Sequence, residues 1–111
     1  TDAELSVLQH HYNIIVIDEG QFFPNLVHNI KRMLEYNLEI YIAGLDADSN
    51  QEKFGEMIDL IPISDNITKL TGNCDICGNI GAFTKRINQD INKQVLIGDK
   101  NEYLCVCRKH L

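Results

Sequence analysis

Ile14-Ile15-Val16-Ile17-Asp18-Glu19-Gly20-Gln21-Phe22-Phe23 joins four consecutive apolar residues to two carboxylates, a glycine and an amide. The apolar run reads as a buried strand. In open α/β sheets ligands bind at the carboxyl ends of the strands, so Asp18 and Glu19 stand where a ligand is expected. One acid can attend to a metal ion while its neighbour takes a proton. That division suits phosphoryl transfer, in which positioning and charge stabilisation supply most of the catalysis. The competing reading of so short a motif is a strand that simply ends in solvated acids.

Pro24 to Tyr36 reads as a helix, with proline suited to its first position. Leu26, Val27, Ile30, Met33 and Leu34 make one apolar stripe, and Asn37 is a natural stop. His28 on this helix reads as a surface or packing residue. Glu39 to Leu45 is a second strand, followed by another acid, Asp46. Strand, helix and strand with short links predict a βαβ unit with parallel pairing and a right-handed crossover. Residues 2–11 read as a helix end. A strand as apolar as 14–17 calls for neighbours on both edges, and the chain reads as though it starts inside a domain. Residues 46–53 are a polar loop closed by Phe54-Gly55, where Phe54 is either a core anchor or the aromatic wall of a pocket. A short amphipathic helix is expected over 55–61, ended by Pro62, and a strand over 67–71.

The chain has 111 residues, 44% of them hydrophobic, with a net charge of −6. This bounds it to one ordinary domain or part of a larger one and argues against a nonspecific grip on nucleic acid. No apolar run is long enough to span a bilayer, and TDAELSVLQHHY lacks the pattern of a signal peptide, so a cytoplasmic protein without nucleic-acid or membrane partners is expected. Four cysteines in such a chain point to metal before disulfide.

Their spacing supports that choice. Cys74-x2-Cys77-Gly78 and Cys107-x2-His110 form two hooks separated by 29 residues. Thiolates and imidazole are the ligands Zn2+ prefers, and a closed site of four ligands is structural. Gly78 permits the tight turn such a knuckle needs. Between the hooks, 82–87, 95–98 and 103–107 each read as a short strand, giving a zinc ribbon with a polar inserted loop, INQDINKQ. Cys105 could stand in for Cys107, but Cys107 and His110 form the hook of matching spacing, so Cys105 reads as a free thiol.

Taken in order, Asp18-Glu19-Gly20-Gln21-Phe22-Phe23-Pro24, Gly44-Leu45-Asp46, Phe54-Gly55, Lys69-Leu70-Thr71, Cys74-x2-Cys77, Phe83-Thr84-Lys85-Arg86, Ile97-Gly98 and Tyr103-x3-Cys107-Arg108-x-His110 resemble the cytosolic, or type II, thymidine kinases from Tyr12 to Leu111. The resemblance implies an α/β fold in two parts: a portion of a P-loop-type parallel sheet over 1–71 and a small zinc-bearing β domain with a lasso loop over 72–111. It implies an ATP-dependent kinase of nucleotide salvage that phosphorylates the 5'-hydroxyl of thymidine as a homotetramer. Glu19 matches the general base, Asp18 the acid that holds Mg2+ with ATP, and Gln21 a residue near the donor phosphates. Phe22 and Phe54 match aromatics beside the thymine ring, which turns the reading of Phe54 from core to pocket. Thr84 matches a wall of the base pocket. Gln94, Val95, Leu96, Ile97 and Gly98 match the lasso segment whose backbone binds the base, and Tyr103 the lasso tyrosine. Cys74, Cys77, Cys107 and His110 match the structural zinc ligands. Lys85 and Arg86 read equally as phosphate contacts or as a solvated pair.

The chain also departs from the family pattern. It contains no G-x-x-x-x-G-K-[ST], the loop that cradles donor phosphates. Ser49 and Lys53 stand where relatives often carry Phe and Pro. Two readings follow: the second half of a thymidine kinase, active only when a P-loop half is supplied, or a noncatalytic zinc-ribbon module kept for assembly or protein contacts. A generic ATPase would leave QFF and the zinc hooks without a task. The first reading accounts for more of the residues.

Overall fold

A computed structural model describes residues 2–87 and 102–111. The chain divides into two compact units, one built from Thr1–Asp46 and Lys53–Asp65, the other from Ala47–Glu52 and Asn66–Leu111.

In the first unit, helix α1 (Asp2–His11) precedes strand β1 (Ile14–Ile17), helix α2 (Leu26–Leu34) and strand β2 (Glu39–Ile42). The strands pair in parallel, with Ile14 opposite Glu39 and Ile17 opposite Ile42. This is the βαβ unit that the alternation of elements predicts. Leu26, Ile30 and Leu60 form its buried centre, and Ile17, Val27, Met33, Ile40, Ile42, Met57 and Ile63 pack around them. The apolar stripe of α2 from Leu26 to Met33 is thus the face laid on the sheet, while Leu34, expected in the stripe, is 41% exposed. The expectation that β1 is buried on both faces is not met among the described residues. Ile15 and Ile17 turn inward, while Ile14 and Val16 are 52% and 73% exposed. With period-two alternation, the one helical layer seen here covers one face of the pair.

Helix α2 starts two residues after Pro24, because Asn25 takes a left-handed conformation, φ 52°. Its side chain makes no capping bond. A distant carboxylate does that work: Leu26 N–H donates to Glu56 Oε2 at 3.1 Å and Val27 N–H to Oε1 at 3.4 Å. At the other end Asn37 is left-handed, φ 58°, as expected of a helix stop.

Two expected elements take another form. Residues 55–61 do not make an amphipathic α-helix ended by Pro62. A 3-10 helix runs over Ile58–Ile63 with Pro62 inside it. Proline's fixed φ fits 3-10 geometry, and its missing N–H removes a single bond from so short an element. Residues 67–71 are not a strand. They are exposed, and pairing begins at Gly72. A strand exists only where a second segment pairs with it, and composition alone does not supply that segment.

Among the described residues, the second unit holds two antiparallel pairs. β3 (Gly72–Asn73) pairs with β4 (Ile80–Gly81), and β5 (Phe83–Arg86) pairs with β6 (Tyr103–Val106). Val106 is fully buried. The Phe83 ring lies below the Arg108 guanidinium at 4.7 Å and near Lys69 Nζ at 6.0 Å. Residues 47–52 close on themselves around buried Asp48, whose carboxylate accepts the N–H groups of Asn50 and Glu52 at 2.8 and 3.1 Å.

Glu56→Ala removes the acceptor from both α2 amides. It should destabilise the first unit by about 1 kcal/mol, the usual scale for a lost cap, and Glu56→Gln by less. Denaturant unfolding followed by circular dichroism measures both, and equal midpoints for Glu56→Ala and wild type would contradict the capping role.

Candidate functional site

The acidic turn is built by the end of the parallel ladder. Ala43 N–H donates to Ile17 O at 2.9 Å, and Ala43 O accepts Gly20 N–H at 2.9 Å. One residue beyond β2 therefore binds the backbone on both sides of Asp18 and Glu19, and the two acids are thrown out as a tight turn. Glu19 takes φ 55° and ψ 46°, a left-handed conformation that costs a residue with a Cβ of order 1 kcal/mol or more. Gly20 must be glycine for lack of room. A Cβ there would fall 2.6 Å from Met57 Sδ and 2.9 Å from Ile42 Cγ2.

Both acids are exposed. Asp18 Oδ1 accepts the Glu19 N–H at 2.9 Å, which braces the turn. Gln21 is 4% exposed. Its Nε2 donates to Glu19 Oε2 at 2.6 Å, and its Oε1 accepts Leu45 N–H at 3.0 Å. Phe22 and Phe54 pack edge to face, with ring centroids 5.5 Å apart and planes at 87°. Phe54 is buried, while Phe22 is 55% exposed. The first unit therefore brings Asp18, Glu19, Gln21, Phe22 and Phe54 into one neighbourhood: a held carboxylate beside a half-open aromatic pair.

In the second unit, the register opposes Thr84 to Cys105 and Arg86 to Tyr103. Alternation then puts Thr84 and Tyr103 on one face as diagonal neighbours, both half-buried. The Arg86 guanidinium lies 5.9 Å from the centre of the Tyr103 ring. Gln94, Val95, Leu96, Ile97 and Gly98, and the strand expected over 95–98, lie outside the described residues.

The two hooks close on each other. One donor atom from each of Cys74, Cys77, Cys107 and His110 lies within 4.8 Å of all the others. Cys77 and Cys107 sulfurs are 3.8 Å apart, and His110 Nδ1 is 3.8 Å from Cys74 Sγ and 3.2 Å from Cys107 Sγ. Tetrahedral zinc with ordinary bond lengths has ligand-to-ligand edges of about 3.5–3.8 Å. The four residues can hold one metal ion. Gly78, at φ 78° with open space around its Cβ position, supplies the turn, and Gly78 N–H donates to Cys74 O at 2.8 Å.

The electrostatics of the cluster favour a cation. Burial opposes the Cys74 thiolate, but the N–H groups of Cys77, Cys107 and Ile76 outweigh it and bring the thiol down to about 6. Burial also opposes ionisation of Cys107, and the His110 ring beside it reverses the balance and lowers it. His110 is raised, chiefly by its contact with Cys107. At Cys77 the Asn79 N–H favours the thiolate, but burial and the Cys74 and Cys107 sulfurs push the thiol up. Crowded sulfurs that penalise one another's charge are the donor set a dication neutralises.

Period two would aim Cys105 and Cys107 the same way, but β6 ends at Val106, and Cys107 leaves the ladder for the cluster. Cys105 Sγ instead packs on the β3–β4 hairpin and reaches Gly81 O at 3.4 Å. A Cβ on Gly81 would fall 2.9 Å from that sulfur. Three useful residues carry weak sequence signals or none. Asp75, between the first two ligands, ties the knuckle to β6: its N–H donates to Cys105 O at 2.7 Å and its Oδ2 accepts Cys105 N–H at 2.8 Å. Glu56 acts across 30 residues and leaves no local trace. Asp48 followed by Ser-Asn does match a side-chain-closed turn.

A family model described as thymidine kinase matches residues 1–111. The chain belongs to the thymidine kinase family. It is 43% identical over 99 residues to thymidine kinase a of Arabidopsis thaliana, covering 88% of this chain and 41% of that protein. Thymidine kinase of Myxoma virus (strain Lausanne) is 35% identical over 106 residues, 96% of this chain and 59% of the viral protein. Thymidine kinase 1 of Dictyostelium discoideum is 40% identical over 98 residues, 88% and 43% respectively. The chain spans about half the length of the curated relatives it matches. No helix among the described residues is long and apolar enough to cross a membrane.

Loaded with zinc and desalted, the protein should retain about one ion per chain, and Cys77→Ser should retain markedly less. Chelation should release amide protection at Gly72–Gly81 and Tyr103–His110 before that of α2, read by hydrogen exchange. Equal zinc content in the variant and wild type would contradict the assignment.

Proposed function

We propose that these residues form part of an ATP-dependent thymidine kinase, which transfers the γ-phosphoryl group of ATP to the 5'-hydroxyl of thymidine in nucleotide salvage. The observation that carries the reading is the Glu19 carboxylate, hydrogen-bonded to Gln21 at 2.6 Å on the turn that leads to the Phe22–Phe54 pair. In this reading Glu19 takes the 5'-hydroxyl proton. The freed oxygen lone pair forms the new bond to the γ-phosphorus, the bond to the β,γ-bridging oxygen breaks, and ADP leaves. Asp18 and Gln21 serve the side of the donor phosphates, where Asp18 would help hold Mg2+. Bound with ATP, Mg2+ would spread the charge that develops on the transferred group.

Phe22 and Phe54 flank the thymine ring: the exposed Phe22 edge offers an apolar wall, and buried Phe54 keeps it in place. By family resemblance, Thr84 and Tyr103 serve nucleoside binding, and Gln94, Val95, Leu96, Ile97 and Gly98 supply backbone groups for the base. Cys74, Cys77, Cys107 and His110 hold a structural zinc that fastens the 72–111 part, while 1–71 carries the phosphotransfer chemistry. A cytoplasmic homotetramer is the assembly proposed. The 111 residues contain no G-x-x-x-x-G-K-[ST], so transfer is expected only where a phosphate cradle is supplied from elsewhere in the protein.

In the full-length protein, Glu19→Gln should lower turnover by about 10^2-fold or more, the range for a lost general base, with thymidine binding largely kept. Steady-state kinetics and calorimetric titration with thymidine separate the two effects. Unchanged turnover would refute Glu19 as the base; no phosphotransfer from the full-length wild-type protein would favour the noncatalytic zinc module.

A further inference from the structure

We infer that Gln21 is a positioning residue for the Glu19 carboxylate, a role beyond the place near the donor phosphates that family resemblance suggests. The inference rests on the proposed function of Glu19. It begins with burial: a primary amide at 4% exposure must satisfy its polar atoms internally. Gln21 does so with two partners of opposite kind. Its oxygen accepts from Leu45 N–H at 3.0 Å, and its nitrogen donates to Glu19 Oε2 at 2.6 Å.

These partners fix the amide's orientation by chemistry. The Leu45 N–H can only donate, so the amide oxygen must face it, and the NH2 group is then left facing the carboxylate. A flipped amide would set oxygen against carboxylate and nitrogen against N–H, losing both bonds and creating two repulsions. Leu45 is itself part of the chain that runs on from β2 through Ala43, the residue that closes the β1 turn. The carboxylate is therefore referenced to the sheet through one side chain.

The slot around the amide is close-fitting. A Cβ on Gly44 would come 2.6 Å from Gln21 Oε1, and a Cβ on Gly55, at φ 58°, would overlap the Gln21 carbonyl oxygen. Gly44 thus lies against the amide itself and Gly55 against the Gln21 backbone, and the side chain is held between its two hydrogen-bond partners. Glu19, by contrast, is exposed on a left-handed residue, and an exposed glutamate has several rotamers to choose from. The bond to Oε2 selects one of them and leaves Oε1 to meet a proton. A general base held in this way presents the same oxygen at every turnover, and catalysis is sensitive to misplacement on the ångström scale.

The test is a mutant cycle in the full-length protein. Gln21→Met keeps volume and loses both bonds. Gln21→Glu keeps the acceptor for Leu45 N–H but sets a second carboxyl against Glu19, so that the pair shares a proton that a free base would not carry. Each should lower kcat by roughly 10-fold or more while the KM for thymidine stays within about 2-fold. In the Glu19→Gln background the same changes should cost less than about 2-fold, because the group they position is gone. Wild-type kcat in Gln21→Glu, or equal losses in both backgrounds, would overturn the positioning role. Glu19→Gln with normal kcat would instead remove the base on which the inference rests, so the two failures are distinct.

Discussion

The double engagement of Ala43 is the constraint on which the acidic turn depends. Its N–H continues the parallel ladder to Ile17, and its carbonyl captures the N–H of Gly20. Between those two anchors the chain must turn within Asp18 and Glu19, which forces Glu19 into a left-handed conformation and brings Gly20 against Met57 and Ile42. The turn is therefore a product of sheet pairing and core packing. Strain at Glu19 persists because its surroundings over-determine it. A carboxylate on such a turn is tied directly to the end of the parallel ladder.

The second unit is held together by another route. Its strands among the described residues are two to four residues long, too short to be stable as isolated hairpins. Order comes from links between them. Asp75 bonds the knuckle to β6 through both its backbone and its carboxylate, Cys105 fits against the glycines of β3 and β4, and the four metal-type ligands converge from both ends of the unit. Substitutions at Gly81 or Asp75 would be felt at the cluster for this reason, although neither residue is a ligand.

Much of this was legible in the residues themselves. Four apolar residues followed by Asp-Glu located β1 and its turn, the stripe from Leu26 to Met33 located α2, and the spacing of Cys74, Cys77, Cys107 and His110 identified a cluster that closes in space. Each of these signals is periodic or has fixed spacing, so it survives in one dimension. The failures have a common cause. Residues 67–71 have strand-like composition, but pairing is a property of two segments. Pro62 reads as a terminator because a 3-10 helix of six residues is too short to print its three-residue period. The Glu56 cap and the two-ended Gln21 amide depend on segments distant in the chain, and propensity says nothing of them.

The most direct test of the account is a crystal structure of the full-length protein with thymidine bound. The expected result is a Glu19 carboxylate oxygen within about 2.6–3.2 Å of the 5'-oxygen, the other oxygen on Gln21, and the base beside Phe22. A 5'-hydroxyl bonded to a different acid, with Glu19 directed to solvent, would contradict it.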